Sequence, residues 1–286
     1  MPIELTKTFP SVNEEKLVRF LLKETSQADK GAVNPKPILD LLKLNHYSVD
    51  LTSIPPDKLV LPDKFKALLY YPERLIATEN TLSEDSLRFS VFHEIAHYVL
   101  PNHQDNFFLC YESDLEGRSK YNNFDMEREA NHFAAEIMFN GDLFSKVAND
   151  MKLNAKNILK LKEQFKTSII ATARHWVEKT FRPALLVIYE KKTSGETLDP
   201  ETEAIWDVKY CVYSRSFERL FGVKVSRNPD NEIVKQLGGI YRDLKDSIKE
   251  ENECELPDGR KVIFNSEYFT NYHNVFRIMI PQTKVL

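Results

Sequence analysis

Cysteine is scarce in this chain. Cys110, Cys211 and Cys254 are widely spaced, odd in number and form no CxxC pair. That pattern excludes a disulfide framework and a cysteine zinc site, and it suits a reducing cytoplasm. Only eight Gly occur in 286 residues, which argues against a repetitive β-architecture and for substantial helix. No apolar run approaches membrane-spanning length. The opening Met-Pro-Ile-Glu-Leu lacks the basic start and apolar stretch of a signal peptide. A cytoplasmic location with no membrane partner is therefore expected. Charge of one sign is also missing. A formal net charge of −4 creates no overall demand for nucleic acid or membrane. There is no internal repeat and no low-complexity tract.

What remains is an ordinary globular composition. Hydrophobic residues make up 42% and charged residues 29%, too apolar for a disordered chain. The length allows one sizeable core and usually two domains. Residues 11–25 place Leu17, Phe20 and Leu21 at helical spacing, and 37–44 read as a short helix entered through Pro37. Residues 46–50 and 67–79 read as strands, with Pro72 marking a turn or an edge. A helix starts near Ser83, with Glu84 and Asp85 at its positive end. Leu87, Val91, Ile95 and Val99 form its apolar stripe, and Pro101 ends it. Residues 102–124 are polar and aromatic, as in a surface loop. A second helix over about 125–139 turns Met126, Ala130, Phe133, Ala134, Ile137 and Met138 inward. Residues 155–181 read as helix, turn, helix, with Thr167 or Ser168 as the cap. Strands are expected at 185–190, 206–213, 261–264 and 275–280, with a loop at 191–204 and a helix at about 231–250. Pro257-Asp258-Gly259 reads as a hairpin turn.

The chemistry concentrates in His93-Glu94-Ile95-Ala96-His97. Two His four apart share one face of a helix, so both imidazoles can reach a single ion. Glu94 lies about 100° around, beside that ion, where a general base for an activated water belongs. A catalytic zinc site needs a third protein ligand and an open position. Two residues compete for that role. His103 stands where a metzincin, HExxHxxGxxH, has its third His. Here, however, Leu100 followed by Pro101 replaces the Gly that allows the sharp turn. Glu127, on the later helix, shares a face with Asn131, whose amide can bond the free nitrogen of a ligating His. Ala130, Ala134 and Ala135 keep that helix thin. Glu127 lies in the charged run Asp125-Met126-Glu127-Arg128-Glu129, so a solvated acid is its bland alternative and Glu129 its rival.

The segment Arg88-Phe89-Ser90-Val91-Phe92 leading into HEIAH is followed, thirty residues after His97, by EREANHFAAEIM at 127–138. The pair resembles the ImmA/IrrE metallopeptidases, gluzincin-like enzymes that couple an HExxH helix to a downstream E-x-E-A-N-x-F-A-A segment. The resemblance covers about residues 10–180. It implies one zinc ion held by His93, His97 and Glu127, with Glu94 as the catalytic acid/base. It also implies a helix-turn-helix transcriptional repressor as the protein substrate, cleaved as a stress-response switch. One departure is visible. Family helices commonly end in Leu-Leu-Met-Pro, whereas this one reads Ile137-Met138-Phe139-Asn140.

Candidates for stabilising the oxyanion are Tyr98, His103, Tyr111 and Tyr121. The strand at 74–79 is a candidate edge for holding substrate backbone. Residues 152–182 carry eight Lys/Arg against two Glu. As a helix-turn-helix they offer Lys166, Arg174, His175 and Lys179 to DNA phosphates. The preferred reading is a solvated face whose Ile169, Ile170 and Trp176 pack on the peptidase domain, because a basic patch alone is weak evidence. Cys211, Cys254 and His273 read as scattered structural residues.

The expected fold is α+β. A helix-rich zincin-like domain spans 1–150, a helix-turn-helix-like element 151–182, and an α+β domain 183–286 that resembles the sensor domains some family members attach. The expected function is zinc-dependent endopeptidase activity. Its rivals are a zincin scaffold that binds a protein or DNA without turnover, and a metzincin-like protease using His103. Glu94 favours an enzyme, since metal binding alone does not need it.

Overall fold

The computed structural model describes residues 14–50, 65–101, 103, 107–111, 124–191, 206–221, 233–234, 237, 247–255 and 259–282. By its internal contacts the chain divides into two compact units: residues 1–144 with 164–167, and residues 145–163 with 168–286. The architecture is α+β, as expected.

In the first unit, α1 (Glu14–Glu24) buries Leu17, Val18, Leu21 and Leu22 along one face. Helix α2 (Pro35–Leu42) starts two residues before the expected Pro37. Asn34 is its cap, accepting from the Lys36 backbone N–H at 3.0 Å. Pro35 and Pro37 both fall in the first turn, where a missing N–H costs nothing. The sheet comprises β1 (Asn45–Val49), β2 (Phe65–Tyr70), β3 (Leu75–Glu79) and β4 (Phe107–Tyr111), in the order β1-β3-β2-β4. β1 runs parallel to β3, and the other pairs are antiparallel. Alternation sends Leu69 and Ile76 to the main core, while Leu68 and Ala77 join Val49, Tyr70 and Leu75 on the other face. Two expectations fail here. β3 is paired on both sides, so it is no free edge. The stretch read as a loop contains strand β4, whose partner is β2.

Helix α3 (Glu84–Val99) carries the HEIAH segment. Ser83 is its cap in position only, because its hydroxyl bonds the Asp85 carboxylate at 2.6 Å instead of a backbone N–H. A single apolar stripe also understates this helix. It is buried at Arg88 and almost continuously from Ser90 to Val99, since it packs on β2, β3, β4, α2 and the second motif helix together. That second helix, α4 (Phe124–Met138), buries Ala130, Phe133, Ala134, Ile137 and Met138, as its periodicity predicts. Its exit is where the chain departs from the Leu-Leu-Met-Pro pattern. Asn140 and Gly141 both take positive φ, and the Gly141 N–H returns to the Glu136 carbonyl at 2.7 Å. The buried Asn140 amide donates to the carbonyls of Gln27 and Gly31, tying the helix exit to the loop after α1.

The second unit begins in α5 (Asp142–Asn149), followed by α6 (Ala155–Phe165) and α7 (Ile169–Lys179). Ser168 rather than Thr167 caps α7, accepting from the Ala171 N–H at 3.1 Å. Five antiparallel strands follow: β5 (Leu185–Lys191), β6 (Trp206–Tyr213), β7 (Ile248–Glu255), β8 (Lys261–Thr270) and β9 (Asn274–Pro281). They pair in the order β6-β5-β9-β8-β7. Helix α8 (Arg215–Phe221) places Phe217 and Phe221 on the core of that sheet with Phe264 and Tyr268. The helix expected over 231–250 is corrected at its end, where β7 begins at Ile248. Residues 233, 234 and 237 are helical, and the rest of that range lies outside the described residues. So does Pro257-Asp258, although Glu255 pairing with Lys261 gives the hairpin register and Gly259 has φ +81. Cys254 is a free, buried thiol. Among the described residues no helix is long and apolar enough to cross a membrane.

Candidate metal centre

Helical spacing brings His93 and His97 onto one face of α3, with their Nε2 atoms 3.0 Å apart. Helix α4, packed on α3, delivers Glu127 between them. Its Oε2 lies 3.1 Å from His93 Nε2 and its Oε1 3.4 Å from His97 Nε2. All three residues are buried, with exposures of 0, 1 and 2%. They are the one group of three or more metal-ligating side chains that converges among the described residues. Glu94, next to His93 in the chain, is also fully buried.

The electrostatics suit a cation. Burial drives His97 down to about 4, against the opposing hydrogen bond from Glu127, so its imidazole is neutral at pH 7. Burial pushes Glu127 up, but hydrogen bonds with His93 and His97 outweigh it and hold the carboxyl below the usual range. The geometry passes a test against zinc. Nitrogen and oxygen donors bound tetrahedrally at about 2.0–2.1 Å lie about 3.3 Å from one another. The two Nε2 atoms lie 3.0 Å apart, and a carboxylate oxygen of Glu127 lies 3.1 Å from that of His93 (Oε2) and 3.4 Å from that of His97 (Oε1), all near that edge length. Together, a neutral imidazole, a second imidazole and a buried carboxylate form the donor set that zinc favours.

The other ring nitrogens are engaged as well. His93 Nδ1 meets Asn131 Oδ1 at 3.1 Å, the contact expected of a residue four after Glu127. His97 Nδ1 meets His103 Nδ1 at 3.1 Å, and His103 Nε2 meets Glu129 Oε2 at 3.1 Å. His103 therefore stands behind His97, outside the converging group. Glu129, the neighbour confusable with Glu127, is half-exposed and bonds His103 instead. That chain of contacts was not legible in sequence. No helical spacing links position 103 to 129, and only the turn after Pro101 sets His103 against α3.

The remaining candidates fall elsewhere. The Tyr98 ring packs on Tyr71 at 5.0 Å, in the turn between β2 and β3. Tyr111 ends β4, with only its backbone described, and Tyr121 lies outside the described residues. Of the basic candidates, Lys166 lies 3.7 Å from Glu84. Arg174 pairs with Glu178 at 4.0 Å and sits over the Tyr210 ring of β6 at 5.2 Å. Lys179 ends α7. His175 corrects its expectation, since it is buried rather than turned to solvent. The apolar face of α7, with Ile169 and Trp176 buried, packs on β5 and β6. A cavity of about 600 Å³ borders α3 at Glu84, Leu87, Arg88 and Val91, and none of the converging donors lines it.

Comparison with known proteins places this geometry in context. No curated protein matches the sequence. A solved structure described as a Mycobacterium tuberculosis transcriptional regulator superposes with a TM-score of 0.56, covering 94% of this chain and 75% of that one. Their sequences are 12% identical, so the likeness is one of fold. Residues 57–176, the stretch that holds both α3 and α4, match the family Peptidase_M78, described as the IrrE N-terminal-like domain. Residues 57–176 thus match an IrrE N-terminal-like domain, in agreement with the family that the two coupled motifs resemble.

Proposed function

We propose that this protein is a zinc-dependent endopeptidase. The observation that carries the reading is the convergence of His93, His97 and Glu127 from two helices, beside the buried Glu94. In it, His93 and His97 bind through Nε2 and Glu127 through its carboxylate. When bound, zinc acidifies a water and polarises the scissile carbonyl. Glu94 takes a proton from the attacking water and hands it to the departing amine. Asn131 holds the His93 ring by its Nδ1 and keeps Nε2 turned to the centre. β4 replaces β3 as the strand that receives substrate backbone, because it packs on α3 and pairs on one side only among the described residues.

The family supports a protein substrate, and a helix-turn-helix repressor cleaved under stress is the target this reading names. A regulatory role also agrees with the fold of the mycobacterial regulator. The free thiol of Cys254 fits a reducing cytoplasm.

The test combines bound-metal analysis with mapping of new N termini in cells. Glu94→Gln is expected to keep zinc and to lower cleavage by about 10²–10⁴-fold. Glu127→Ala is expected to lose zinc more severely than His103→Ala. Equal cleavage by the wild type and Glu94→Gln would refute the enzyme, and the reverse metal ranking would refute the ligand set.

A further inference from the structure

We infer that His103 and Glu129 form a positioning relay that fixes the tautomer and aim of His97; the inference rests on the metal-centre reading above. His97 turns Nε2 toward His93 and Glu127, at 3.0 and 3.4 Å, which leaves Nδ1 on the far side of the ring. That atom lies 3.1 Å from His103 Nδ1. Two ring nitrogens at this distance share one proton, and chemistry decides which ring owns it. A ligating Nε2 must offer a lone pair, so neutral His97 carries its proton on Nδ1 and donates it to His103. His103 then accepts at Nδ1 and carries its own proton on Nε2. That N–H points at Glu129 Oε2, 3.1 Å away, which can only accept when ionised. One assignment of protons therefore satisfies every contact from Glu129 to the centre.

The relay mirrors the arrangement on the other imidazole, where Asn131 backs His93 at the same 3.1 Å distance. Its parts come from separate places. His103 follows the break at Pro101, is fully buried, and is tied back by its N–H to the Leu100 carbonyl at 3.4 Å. Glu129 rises from α4 with its carboxylate half-exposed. The acid two residues from Glu127 thus serves the same ion at one remove, through an imidazole.

The experiment measures zinc affinity by chelator competition and the visible spectrum of the cobalt(II)-substituted protein. Replacing a hydrogen-bonding partner of a ligand typically costs about 10–100-fold in metal affinity. His103→Leu is expected to lose that much and to alter the cobalt bands. His103→Asn, whose amide oxygen can accept from His97 as Asn131 does from His93, is expected to recover most of the loss. Glu129→Gln keeps an acceptor and should stay within a few-fold of wild type, whereas Glu129→Ala should weaken binding without disturbing the fold, because that side chain is half-exposed. Wild-type affinity and spectrum in His103→Leu and Glu129→Ala would overturn the relay. So would an equal loss in His103→Leu and His103→Asn, which would make His103 a direct ligand or a packing residue. His93→Ala separates the two levels: if it retains wild-type zinc binding, the metal-centre reading itself has failed.

Discussion

His97 is a buried imidazole facing a carboxylate, and its protonation couples the centre to pH. Its folded value of about 4 lies below the usual 6.5. A depressed histidine favours the unfolded chain wherever that chain binds the extra proton. Its contribution is present above about 6.5 and is lost as pH falls toward 4. Glu127, held low, loses its own contribution only below its ordinary value of 4.5, so both residues act in the same direction. Metal-free protein is expected to lose on the order of 3 kcal/mol across that window, and His97→Gln should flatten the slope. Urea titrations at stepped pH in chelator measure this. A pH-independent midpoint between 6.5 and 4 would contradict it. His93, Glu94 and His97 were legible in sequence because one helix sets their spacing. Spacing alone left Glu127 as one of two competing ligands, since nothing local ties position 127 to position 97, and only the family resemblance singled it out.

At the scale of elements, the site depends on how closely α4 approaches α3. Ala130 and Ala134 are fully buried on the face that also carries Glu127. Ala134→Leu adds volume there and is expected to cost about 1–3 kcal/mol. It should also weaken zinc binding, although it touches no ligand, because the carboxylate moves with its helix. Unchanged zinc affinity alongside a measurable loss of stability would separate helix packing from the site. A second device is Arg88, buried on α3. It donates to the Val33 carbonyl from Nε and Nη2, at 3.2 and 2.8 Å, and to the carbonyls of Phe165 and Lys166 from Nη1, at 3.3 and 2.6 Å. Arg88→Met leaves those carbonyls without the guanidinium and is expected to destabilise the protein by about 2–4 kcal/mol in urea unfolding. The α3 periodicity gave no sign of this clamp. A stripe of Leu87, Val91, Ile95 and Val99 describes a helix with one dry face, whereas α3 is enclosed on several sides.

For the whole molecule, the proposed centre lies wholly in one unit, so zinc held there would stabilise that unit and not the other. A ligand that binds only the folded state stabilises it by about 4 kcal/mol at a thousand times its dissociation constant. Calorimetry with and without chelator is expected to show two transitions, of which the metal raises only one. A uniform shift of the entire melt would mean that the units unfold together. The second unit was the harder one to read. Strand positions came through as apolar runs at β5, β6 and β9, but the first three residues of β7, Ile248–Glu250, fell inside the expected helix, because its run of charged residues carries little apolar pattern. Likewise, β4 was hidden in a stretch that looked like loop, since its place is set by pairing with β2. The sequence by itself determined the α+β class, the two motif helices and the chemistry of their side chains, because these follow from local spacing and residue type. The tertiary structure alone decided which carboxylate meets the imidazoles, that His103 backs His97, and which strands are edges. Those outcomes depend on residues distant in the chain packing together, and no local period encodes them.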